Sequence, residues 1–156
     1  MLTPEQQRWF VAAYEGAKDA GHIFPAMAAC EAALESEWGA SKLAELANNF
    51  FGEKQHEQQI YATMLLPTRE FLHGSWKVVQ AAWVKYPTAA ACFADRMDTL
   101  RRLAPEIPHY AQALRASTAA EYVTEVSASW STDPQRAVKC IMIYSEHAAL
   151  LGEGKD

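Results

Sequence analysis

Apolar residues in the first fifty positions recur at helical spacing. In "TPEQ", Thr3 is placed as an N-cap, Pro4 as the first helical residue and Gln6 three residues after the cap, the arrangement of a capping box. Phe10, Ala13, Tyr14 and Ala17 give this helix an apolar stripe, and Gly21 stops it after about Ala20. A second helix is predicted from about Pro25 to Trp38, with Gly39 as its left-handed stop. A short third helix follows from about Ser41 to Ala47, and Asn48-Asn49 and Gly52 break the pattern.

From Gln55 to Lys85 the period falls to two. "TREFLH" puts Thr68, Glu70 and Leu72 on one side and Arg69, Phe71 and His73 on the other. With His73-Gly74-Ser75 as a turn between two such runs, a small β-hairpin is predicted. Helical spacing returns at Phe93, Met97 and Leu100, and Pro105 and Pro108 are expected to end that helix. Thr118 and Glu121 fit a capping box that opens a helix to about Ser129. Asp133 as N-cap and Pro134 as first residue start the last helix, with Val138, Ile141, Met142 and Tyr144/Ser145 as its expected core face. No repeat or linker interrupts the chain. The expectation is one mainly α domain of α+β type over residues 1–151, with 152–156 as a flexible tail.

Composition adds few constraints. Half of the 156 residues are hydrophobic and 21% are charged, as in a folded domain. A net charge of −5 gives no basic face for nucleic acid, so no nucleic-acid partner is expected. Cys30, Cys92 and Cys140 lie far apart in helical patterns and read as small buried hydrophobes. No close Cys/His spacing suggests a metal, and no cofactor is expected. The start of the chain shows neither a basic leader nor an apolar signal core, and no run reaches membrane-spanning length. A monomer without membrane insertion is expected, made in the cytoplasm and carried outward by other means if its target lies there.

The chemistry concentrates in "AALESEWGASKLAELANNFFGEK", Ala32 to Lys54. Glu31, Glu35 and Glu37 stand at the end of the second helix, where the macrodipole disfavours carboxylates. Glutamates in helices ordinarily face water, and Glu31 and Glu37 are read as such surface charges. Glu35, in the last turn beside Leu34 and near Trp38, has a second reading. Apolar neighbours and the negative helix end would both raise its pKa, as a general acid requires. Glu70, on the hairpin between Thr68 and Trp76, is either a solubilising strand residue or the second carboxylate that glycoside hydrolysis usually employs.

The stretch from Leu34 to Lys54 resembles the signature of glycoside hydrolase family 73, the peptidoglycan glucosaminidases. That pattern reads approximately Leu-Glu-Ser-Gly-Trp-Gly-x-Ser-x-Leu-Ala, then Asn-Asn-Leu-Phe-Gly-Ile-Lys. Thr68-Arg69-Glu70-Phe71 resembles the family's Thr-x-Glu strand, and Ser131 to Ile141 its Ala-Thr-Asp-Pro-x-Tyr-Ala segment. The resemblance covers about residues 24–145. It implies a lysozyme-like, two-lobed fold, a helical bundle with a small β-hairpin lobe flanking a substrate groove. It also implies Glu35 as general acid and Glu70 as second carboxylate, acting as base, as stabiliser of the transition state or as helper to the substrate's own acetamido group. Thr68, Asn49, Tyr110 and Trp130 are the expected substrate-binding residues.

Three departures from the pattern stand out. Glu37 replaces a glycine, Val84 replaces the arginine of Phe-Arg-x-Tyr, and Trp130 replaces a groove tyrosine. Trp130 can offer a face to a pyranose or pack as a core aromatic, and Tyr110 and Tyr122 are the candidates for a displaced tyrosine function. The implied activity is an endo-β-N-acetylglucosaminidase on the β-1,4 bond between N-acetylglucosamine and N-acetylmuramic acid, with a peptidoglycan glycan strand as partner. The expected setting is a phage or prophage endolysin, released through a holin to act on the cell wall in the periplasm. The alternatives are a secreted antibacterial effector with an immunity protein, a muramidase or lytic transglycosylase, and a non-catalytic glycan-binding module.

Overall fold

A computed structural model describes residues 1–154. Its order is α1 (Pro4–Asp19), α2 (Pro25–Ser36), α3 (Lys42–Ala47), β1 (Ala62–Leu72), β2 (Ser75–Lys85), α4 (Ala89–Leu103), α5 (Pro108–Leu114), α6 (Ala119–Trp130) and α7 (Arg136–His147). A closing 3-10 segment, Ala148–Gly154, bends at Gly152. The expected tail at 152–156 falls partly within that segment, and its last two residues lie outside the described residues.

The capping box of α1 forms as predicted. Thr3 Oγ1 accepts from the Gln6 N–H at 3.1 Å, and Gln6 Oε1 accepts from the Thr3 N–H at 2.9 Å. Phe10, Ala13, Tyr14 and Ala17 are buried on one face. The adjacent α2 is enclosed on nearly every side. Its run of Ala26, Ala28, Ala29, Ala32 and Ala33 lets α1, α6 and α7 approach closely, and a helix apolar on all faces belongs in a core. Cys30, Cys92 and Cys140 are buried inside this core and form no disulfide with one another.

The hairpin is antiparallel, with Glu70 opposite Lys77 and Thr68 opposite Val79. His73 (φ 51°) and Gly74 (φ 84°) make its two-residue turn. Two successive left-handed residues match the right-handed twist of the strands. The strands' base is fastened by Asn49, whose amide donates to Val84 O and Glu53 O, both at 2.9 Å.

Local expectations needed correction at four places. Helix α2 ends at Ser36, because Glu37 (φ 54°) and Trp38 (φ 56°) turn left-handed before Gly39 (φ 80°). Trp38 therefore leaves the helical face shared by Glu31 and Glu35 and packs on Phe10 and His147. Pro108 opens α5 rather than ending a helix, since proline suits a first turn. Asp133 caps a turn, through Oδ1 to the Gln135 N–H at 2.8 Å, and α7 begins at Arg136. Finally, Val138 and Met142 are exposed, and the buried line of α7 runs through Arg136 and Cys140.

Candidate active site

Glu31 lies at the centre of the α-helical region. Its side chain is 0% exposed, contrary to the expected surface charge. Oε2 accepts from Arg96 Nη2 and from Arg136 Nη2, each at 2.8 Å, while Oε1 accepts from Tyr122 Oη at 3.1 Å. Burial alone would raise its pKa, but Arg96, Arg136 and the Arg136 hydrogen bond outweigh it and hold the carboxyl at about 2. Tyr122 Oη also meets His22 Nε2 at 3.3 Å, and His22 Nδ1 accepts from the Phe24 N–H. Burial lowers the His22 pKa to about 4. This engagement holds the Tyr122 hydroxyl inside the core, where the residue is fully buried.

Glu35 stands one turn further on, at the edge of the same network, with its side chain 19% exposed. Two carboxylates at i and i+4 repel one another. Here Arg136 bridges them: Nε donates to Glu35 Oε1 at 2.9 Å, and Nη2 lies 2.8 Å from the same oxygen. The other oxygen, Oε2, is buried without a protein hydrogen-bond partner. Burial raises the Glu35 pKa, with Arg136 and Arg96 opposing and Glu31 adding to the rise. The direction and its leading cause, desolvation, match the expectation. What the expectation lacked is the buried ion network, whose two arginines oppose the rise.

Trp130 is half-buried, and its indole lies over the Arg96 guanidinium, 3.9 Å from ring centre to carbon. Arg96 also contacts the Phe51 ring at 4.3 Å. Tyr110 packs 6.2 Å from Trp130, and its pKa is raised by burial. Glu35, Arg136, Arg96, Trp130 and Tyr110 thus form one connected cluster. Asn49 is 1% exposed, with its amide and carbonyl committed to loop and strand backbone. In this conformation it acts as a structural clamp.

Glu70 and Thr68 share one face of β1 and are half-buried. Glu70 Oε1 pairs with Lys54 Nζ at 3.0 Å, and Lys54 also lies 5.6 Å over the Trp83 ring. Glu70 therefore belongs to a separate, solvent-reached ion pair on the hairpin. No cluster of three or more metal-binding side chains occurs among the described residues.

Sequence reading missed Arg96 and Arg136 altogether. Each nonetheless left a trace. Arg96 interrupts the stripe of Phe93, Met97 and Leu100, and Arg136 stands where the glucosaminidase pattern has its second tyrosine. The glycine expected at position 37 also finds its reason, since that residue is the left-handed C-cap of α2.

These features define an α-rich, lysozyme-like glycoside hydrolase domain. The family model named Glucosaminidase, described as mannosyl-glycoprotein endo-beta-N-acetylglucosaminidase, matches residues 11–149, and the chain belongs to that family. It is 32% identical over 128 residues to the exo-glucosaminidase LytG of Bacillus subtilis (strain 168), covering 81% of this chain and 45% of that protein. It is 28% identical to a probable N-acetylmuramidase of Lactococcus lactis subsp. cremoris, over 83% of this chain and 30% of the relative. The chain thus spans less than half the length of these curated relatives. Among solved structures, the catalytic domain of the autolysin Auto from Listeria monocytogenes superposes with a TM-score of 0.76 at 25% identity, covering 97% of this chain and 89% of that one.

Proposed function

We propose that this domain is an endo-β-N-acetylglucosaminidase that hydrolyses the β-1,4 bond between N-acetylglucosamine and N-acetylmuramic acid in peptidoglycan. The observation that carries the reading is Glu35: a carboxyl with a raised pKa, one oxygen held by Arg136 and the other free of protein donors. The names of its relatives, a glucosaminidase and an autolysin, supply the substrate class.

In this mechanism the Glu35 carboxyl gives its proton to the glycosidic oxygen as the bond to the anomeric carbon breaks. The leaving sugar departs as an alcohol, and the positive charge that develops on the ring needs an anion opposite. Glu70 supplies that anion or takes a proton from the attacking water, once the hairpin presents it to the sugar. A base role requires Lys54 to release the Glu70 oxygen. Trp130 offers an apolar face to a pyranose, with Tyr110 behind it, Thr68 can hydrogen-bond the sugar from the hairpin, and Asn49 holds the loop beneath.

A relative named as a probable N-acetylmuramidase favours one second reading, cleavage on the other side of the muramic residue. Digestion of purified peptidoglycan, followed by reduction and mass analysis of the new ends, separates the two. Reduced N-acetylglucosamine ends support the proposal. Reduced muramic ends, or anhydro-muramic products, overturn it.

For the biological setting we propose a phage or prophage endolysin, with an antibacterial effector as the variant. Wall cleavage serves either role. Expression inside a host distinguishes them: lysis that requires a co-expressed holin fits the endolysin, and neutralisation by the product of a neighbouring gene fits the effector.

A further inference from the structure

We propose that Arg136 is the positioning residue of the proton donor: it fixes the orientation of the Glu35 carboxyl, and Glu31 is the counter-charge that anchors it. The inference rests on the reading of Glu35 as proton donor.

The guanidinium of Arg136 is committed on every edge. Nε and Nη2 converge on Glu35 Oε1 at 2.9 and 2.8 Å, Nη2 also reaches Glu31 Oε2 at 2.8 Å, and Nη1 donates to Ser127 Oγ at 2.8 Å. Its side chain is 2% exposed. A planar fork held by α2 and α6 cannot rotate without breaking several charge-assisted contacts.

The two oxygens of Glu35 are thereby made unequal. Oε1 accepts from Arg136 Nε and lies 2.8 Å from the Nη2 of the same guanidinium, so a hydrogen placed on it would face a cation. Oε2 is buried and has no protein hydrogen-bond partner. When the carboxyl protonates, the hydrogen goes to Oε2. In a free carboxylate either oxygen would serve and the group could spin. Here the fork stops that rotation.

The same contact biases the acid toward its charged form. The charged groups facing Glu35 are Arg136 from α7, Arg96 from α4 and Glu31 from its own helix. Glu31 answers both arginines with one carboxylate. With Glu35 ionised, two cations meet two anions. With Glu35 protonated, one positive charge is left in the cluster. Arg136 therefore trades some of the protonated fraction at neutral pH for a fixed geometry. The tyrosine of the family pattern at this position would make no such trade, having no charge.

The test uses Arg136→Gln, Arg136→Tyr and Arg136→Lys on purified peptidoglycan, with kcat followed against pH. A general acid loses activity as pH rises through its pKa. Removing the cation should thus move the alkaline limb of the Gln and Tyr variants upward by about one unit or more. Lysine keeps the charge but not the fork, so that variant should keep the limb while kcat falls by about tenfold or more. A carbon-13 titration of the Glu35 carboxyl should show the same upward shift without reference to turnover. Limbs and kcat left at wild-type values in these variants would overturn the inference, as would a Glu35 titration unmoved in Arg136→Gln.

Glu35→Gln separates the two levels. If it still digests peptidoglycan, the proton-donor reading fails and this inference with it. If it is dead while Arg136→Gln titrates like wild type, only the role of Arg136 fails. Should the neutral variants not fold, Ser127→Ala loosens the fork without removing its charge. A severalfold fall in kcat at an unmoved limb supports the proposal, and wild-type kcat contradicts it.

Discussion

The domain holds carboxylates in two contrasting ion-pair settings. Glu31 sits with Arg96 in a pair whose side chains are both 0% exposed, while Glu70 and Lys54 form a pair exposed at 36% and 55%. The distances hardly differ, at 2.8 and 3.0 Å. What differs is water. A buried charge that loses its partner keeps its full desolvation cost, whereas an exposed one regains its hydration. The α-helical cluster is therefore a fixed platform, and the hairpin pair is a contact that can open. That division suits a site in which one carboxylate must hold its place and the other must be free to meet a sugar.

Breaking the platform should have the largest effect. Glu31→Ala leaves two buried guanidiniums short of an anion and should lower unfolding free energy by about 3–5 kcal/mol in denaturant titrations. Acid sharpens the contrast next. The His22 pKa falls from 6.5 to about 4 on folding, and that of Glu31 from 4.5 to about 2. In both cases the unfolded chain binds the proton more readily, so the stability each contributes is complete above its unfolded value and is lost as pH falls toward the folded one. Melting temperature should decline from about pH 6.5 downward, first through His22 and then, below about 4.5, through Glu31. Glu35, with its raised pKa, opposes this trend.

Smaller effects lie at the edge of the platform and on the hairpin. Glu37→Gly relieves a left-handed non-glycine C-cap (φ 54°) and should stabilise by about 0.5–1 kcal/mol, read as a higher denaturation midpoint. Lys54→Ala should change stability by less than about 1 kcal/mol, and raising the salt concentration should erase most of that difference. A loss as large as that of Glu31→Ala would abolish the contrast.

The sequence made local features readable and left distant ones hidden. The α1 capping box, the hairpin alternation and the two-residue turn each depend on neighbours within a few positions. Arg96 and Arg136 reach Glu31 across 65 and 105 residues, and no local pattern signals such a partner. Glu31 consequently read as a solvated helix charge. The same blindness misplaced the core face of α7, because apolar Val138 and Met142 were preferred over the buried Arg136. Helix position and neighbours made Glu35 one candidate among several, and the motifs around Glu35 and Glu70 singled the two out. Nothing in composition or periodicity distinguishes Glu35 from Glu45, which lies on exposed α3 surface.

The most direct test of the account is the turnover of Glu35→Gln on purified peptidoglycan, measured beside its melting temperature. The substitution keeps the side chain's shape and an oxygen for Arg136 while removing the transferable proton. The account predicts activity reduced by about 100-fold or more in a protein that melts close to wild type. Turnover within a few fold of wild type would contradict it, and the proton donor would then have to be sought elsewhere in the domain.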